Sequence, residues 1–152
     1  MPRPILNFTD LIESGDISNL TLTIYFAKPH IVTPIAWSVD MLTGPIDDPL
    51  INRIVIGHQY LAEHVDLLKQ LDSVPLTPIE RETRIHAILH YVFEAGGREF
   101  TVSGWGMYYN SLFVNGVEVK ETSIFYEILL PFVPLHEVER FEGSINRIEM
   151  EQ

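Results

Sequence analysis

Six histidines and no cysteine define the chemistry open to this chain of 152 residues. Without thiolates, any metal would have to be held by imidazole and carboxylate groups. His86 and His90 stand four residues apart. On a helix both would reach one ion, with Glu82 or Glu94 as a third ligand. On a strand the same pair stands about 13 Å apart and cannot share an ion. Both readings of 84–94 stay open on spacing alone, and the neighbouring sequence favours the strand, so no metal is expected. His58 and His64 lie on different faces of a helix and read as a helix-start group and a half-buried packing residue.

Nucleophilic and nucleotide chemistry find no support. Thiol catalysis is excluded, and Ser103-Gly104-Trp105-Gly106 lacks the preceding glycine of a nucleophile elbow. Gly96-Gly97 opens no phosphate-binding helix. Asp47-Asp48 precedes Pro49, which suits a turn or a helix cap better than a catalytic dyad. No cofactor is expected.

The unusual local feature is Gly104-Trp105-Gly106-Met107-Tyr108-Tyr109. Glycine within a strand marks a bulge or a close approach, and aromatics with a polar tip are favoured at interfaces. Trp105, Tyr108 and Tyr109 are therefore the candidate binding residues. The competing reading places Trp105 and one tyrosine in the core.

Charge narrows the choice of partner. The net charge is −11, and the excess is spread: nine acidic and four basic residues precede Leu76, twelve acidic and six basic follow it. Such a field repels phosphate backbones and anionic lipid, so neither nucleic acid nor a membrane surface is an expected partner. A basic protein is compatible, as is simple solubility. No stretch reaches the roughly 20 apolar residues of a membrane span, and the N-terminus lacks a secretory apolar core, which points to the cytoplasm.

The elements that would position these groups follow from periodicity. Phe8 to Gly15 reads as a short helix, and Leu20, Leu22, Ile24 and Phe26 alternate with polar or small residues as a strand with one buried face. The stretch 29–49 is irregular, with a helical turn at 38–42. Leu50 to Ile56 reads as a strand and Gln59 to Leu71 as the clearest helix. A helical turn at 78–82 leads into a long hairpin around Ala95-Gly96-Gly97-Arg98, which places Phe93 opposite Phe100 and Tyr91 opposite Val102. Asn115-Gly116 signals a tight hairpin pairing Val114 with Val117 and Leu112 with Val119. Thr122 or Ser123 should cap a helix carrying Ile124, Phe125, Ile128 and Leu129, ended by Pro131 and Pro134. Beyond Leu135 the tail reads as a final strand or a frayed end.

The expected architecture is a single α+β domain over 1–152, a mostly antiparallel sheet of five to six strands with two main helices on one face. The functional expectation is a non-enzymatic protein-binding module, immunity-like or antitoxin-like, acting on a basic partner. A component of a homo-oligomer or larger assembly, and a hydrolase or isomerase using His and carboxylate groups, are the alternatives.

Overall fold

Alternation of apolar and polar side chains makes β1, Thr21–Ala27, the middle of one half of the sheet. Leu22, Ile24 and Phe26 are fully buried on one side, whereas Thr21 is exposed and Thr23 and Tyr25 are half-buried on the other. The computed structural model describes residues 19–27, 51–73, 89–95, 97–104 and 111–150. The expected helix at 8–15, the irregular segment 29–49, the turn at 78–82 and the start of the long hairpin at 84–88 lie outside the described residues.

Two strands pair with β1. On one side is β2, Ile51–Ile56, which runs antiparallel with Leu22 opposite Ile56. On the other is β3, Leu89–Ala95, also antiparallel, with Ile24 opposite Tyr91. The chain between β2 and β3 therefore crosses β1. It opens with two short helices, α1 (His58–Ala62) and α2 (Val65–Lys69), followed by a 3₁₀ turn at Gln70–Ser73.

The single helix expected from Gln59 to Leu71 is interrupted at Glu63 and His64. His64 N–H bonds to the Leu61 carbonyl at 3.0 Å, three residues back, while the His64 ring takes the Tyr60 carbonyl at 3.1 Å. A carbonyl cannot donate, so His64 Nδ1 carries the proton there. The side chain thus replaces the backbone partner that would have continued the helix. Leu61, Leu68 and Leu71 still reach the core.

The remaining strands extend the sheet as antiparallel neighbours. β4, Arg98–Gly104, pairs with β3 in the register expected from the hairpin, Phe93 opposite Phe100 and Tyr91 opposite Val102. β5 (Ser111–Val114) and β6 (Val117–Lys120) complete a six-stranded antiparallel sheet of order β2-β1-β3-β4-β5-β6. The β5–β6 turn has Asn115 at φ 50° and Gly116 at φ 82°, the left-handed pair of a type I′ turn. Leu112 faces Val119 and Val114 faces Val117, as expected. Asn115 also ties the turn to β4: its N–H donates to the Thr101 carbonyl and its Oδ1 accepts from the Thr101 N–H, both at 2.9 Å.

Helices close the side of the sheet that carries Phe26 and Tyr91. α3, Ile124–Glu127, starts after Ser123, whose side chain makes no capping bond, contrary to the expected cap. Tyr91 donates to the Phe125 carbonyl at 2.7 Å and so pins α3 to β3. The tail is neither strand nor frayed end. It forms α4, Leu135–Met150, the longest described helix. Val138, Phe141, Ile145 and Ile148 recur at steps of three and four, and the last three are buried, with Phe141 edge-on to Phe26 at 6.0 Å. The acidic residues between them mimic a period of two, but a stripe on one helical face buries more apolar surface than a strand there would.

A side chain at Gly116 would force a Cβ into the left-handed region, although nothing crowds it. Gly116→Ala should therefore lower unfolding free energy by about 1–2 kcal/mol in urea denaturation, with the denaturant slope unchanged.

Candidate functional site

One-to-one pairing across all six strands draws a line of side chains over the sheet face opposite α3 and α4. Arg53 faces Tyr25, Tyr25 faces His90, His90 faces Ser103, Ser103 faces Phe113 and Phe113 faces Glu118. The guanidinium of Arg53 sits 6.0 Å from the Tyr25 ring centre, within cation–π range. Tyr25 and His90 rings lie 6.2 Å apart. His90 Nδ1 and Ser103 Oγ share a hydrogen bond of 2.8 Å. His90 is 7% exposed and Ser103 4%, and Phe113 and Glu118 are also buried.

Burial holds the His90 imidazole at a pKa of about 4, so it is neutral at pH 7. The Ser103–His90 distance matches an activated nucleophile, but a base that weak takes few protons at neutral pH, and both groups are closed off from solvent. The pair therefore reads as a satisfied internal hydrogen bond. His86, the other half of the i, i+4 pair, lies outside the described residues. Placing His90 on a strand removes the helical geometry that a shared metal needed. Among the described residues no group of three His, Asp or Glu side chains is arranged to hold an ion.

A second polar cluster lies on the helical side. Tyr126 donates to Glu121 Oε2 at 2.6 Å, and Arg147 Nη2 of α4 lies 2.8 Å from Oε1, off the line of a hydrogen bond. Burial, then the charge of Glu121, raises the Tyr126 phenol well above its ordinary range, so it stays a donor. The same hydroxyl explains Gly104. A Cβ on Gly104 would stand 2.6 Å from Leu112 Cδ2 and 3.2 Å from Tyr126 Oη. The close approach signalled by this glycine is made by the protein's own core. Trp105, Tyr108 and Tyr109, the candidate binding residues next to it, lie outside the described residues.

His64 is the packing residue its position suggested. Its ring meets Phe132 and Tyr60 at 5.3 and 5.1 Å, Tyr60 meets Phe132 at 5.5 Å, and Tyr60 donates to the Pro131 carbonyl at 3.1 Å. Three rings this close to one another leave no room for a cation between them.

The neighbouring part of the second face is half-buried to exposed. Val55, Thr23, Val92 and Thr101 form the neighbouring row, and beyond it Glu94 stands opposite Glu99. Val55 is 56% exposed, and both glutamates are exposed. Sequence reasoning did not single out Ser103, Arg53 or the Glu94–Glu99 rung. Ser103 and the Glu94–Glu99 rung follow from extending the Phe93–Phe100 register by whole residues, so that register is the signal that could have found them, whereas Arg53 is placed by the separate pairing of β1 with β2.

Neutral burial of His90 gives a pH signature. The unfolded chain protonates this group near its ordinary 6.5 and the folded chain only near 4. The unfolded state therefore holds more protons between those values, and stability falls as pH drops through that window, by up to about 3 kcal/mol. Subtracting the unfolding free energy of His90→Gln from that of wild type cancels the carboxylates. That difference should fall by about this amount from pH 7 to pH 4, and a flat difference would refute the assignment. Gly104→Ala should cost about 1–3 kcal/mol by overpacking against Leu112 and Tyr126, measured by thermal or urea unfolding.

With the geometry of both polar clusters and the open face in place, no family model, curated protein or solved structure matches this chain.

Proposed function

We propose that this protein is a non-enzymatic binding module, immunity-like or antitoxin-like, that neutralises a basic protein. The observation that carries the reading is the contrast between its polar groups inside and outside. Two buried clusters, His90 with Ser103 and Glu121 with Tyr126 and Arg147, are engaged in internal contacts. Among the exposed charged groups of the described residues carboxylates outnumber cations: Glu63 before α2 and Asp66 within it, Glu94 and Glu99 on the sheet, and Glu139, Glu142 and Glu149 on α4, against Arg53, Lys69, Arg98 and Lys120.

A net charge of −11 over the whole chain accelerates encounter with a cationic surface and rejects anionic partners. An inhibitor that must outpace a toxic partner profits from that rate more than from any chemistry of its own. No helix among the described residues is long and apolar enough to cross a membrane.

Immobilised protein should retain a basic protein from extract of the source cells. Raising salt from about 0.1 M to about 1 M shortens the screening length from about 10 Å to about 3 Å. The association rate of that complex should fall at least about tenfold over the same range. Retention of no cationic protein, or a rate indifferent to salt, would sink the proposal.

A further inference from the structure

We infer that the open half of the second sheet face is the surface on which the basic partner docks, an inference that rests on the binding-module reading above. The face is divided in two by exposure. The row from Tyr25 to Glu118 is largely closed, whereas the rows holding Val55, Thr23, Val92 and Thr101, then Glu94 and Glu99, are open or half-open. A row of two valines and two threonines beside a pair of carboxylates combines apolar contact with charge, the division by which protein interfaces gain affinity and orientation.

The rim is acidic at the Glu94–Glu99 end, whereas the exposed Arg53 beside Val55 on β2 is engaged with the Tyr25 ring at the other end. Glu94 and Glu99 face each other directly across β3 and β4, and like charges in that position destabilise an antiparallel pair. Among the described residues neither makes an ion pair or hydrogen bond that would relieve the repulsion. A Lys or Arg of a partner placed between the two carboxylates would remove the repulsion and gain two charge-assisted contacts. The fitting partner therefore presents a cation to this rung and an apolar side chain to Val55. The carboxylates on α4 provide the internal comparison, because Glu139, Glu142 and Glu149 sit on an exposed helical face and not on the sheet.

The test uses the full chain and the basic protein retained on the wild-type column, with poly-lysine as a probe of charge alone. Glu94→Lys with Glu99→Lys should weaken the retained protein's binding by roughly 30-fold or more, and Val55→Asp by a similar factor. Glu139→Lys with Glu142→Lys makes the same change in net charge and should weaken it by no more than about threefold. Poly-lysine should lose affinity equally with either pair. Glu99→Thr should raise the melting temperature by about 1–3 °C while weakening the partner, since the repulsion is lost with the contact. Equal effects of the sheet and helix reversals on the retained protein, or full affinity in the sheet reversal, would overturn the docking face while leaving the binding module intact. Retention of no basic protein would overturn both.

Discussion

The register between β3 and β4 is the constraint on which the rest depends. Because side chains alternate with a period of two, a slip of one residue would exchange the two faces of the strand. Phe93, Tyr91 and Leu89 would leave the helical side, and His90 would enter it with no Ser103 to meet its ring. The native register satisfies both faces at once. Aromatic and aliphatic residues from β1, β3 and β4 close under α3 and α4, while the polar partners on the other face fall into hydrogen-bonding distance.

That alignment accounts for how the chain buries polar groups at little cost. An unpaired polar group out of water would cost several kcal/mol, and a lone charge more. The His90 ring avoids the charge by remaining neutral and keeps a partner in Ser103. Glu121 is flanked by the Tyr126 hydroxyl and the Arg147 guanidinium. The second arrangement also fixes the end of α4 to the corner between β6 and α3. β4 ends on a glycine at a point where a Cβ would meet Leu112 first and the Tyr126 hydroxyl next.

The same economy bears on function. With its buried titratable groups held in internal contacts, the molecule presents carboxylates and a half-open sheet face to its surroundings. Electrostatic attraction of that kind sets the rate and sign of an encounter, while a small aliphatic surface with complementary charge sets its place. The Glu94–Glu99 rung is a position where the sheet departs from what pairing alone would favour. Local conflicts of this sort are expected where a surface serves something other than its own stability.

Much of the sheet was legible in the residues themselves. The alternation of Leu20 to Phe26, the aromatic pairing around Gly97 and the Asn115-Gly116 turn are local signals, because period and turn geometry act over a few residues. Tertiary structure decided the rest. The acidic tail becomes α4 because Phe141, Ile145 and Ile148 have a core to enter, which no local pattern reveals. The helix after Gly57 breaks because the His64 ring competes for a carbonyl, and Gly104 is crowded by Leu112 and by a tyrosine 22 positions away in the chain. His90 was visible as a residue, but its neutral state and its bond to Ser103 exist only because burial and register act together. Sequence alone determined the acidity, the absence of thiol chemistry and the strand order within each hairpin. Which polar groups are spent inside the fold, and which remain for a partner, depended on contacts between elements far apart in the chain.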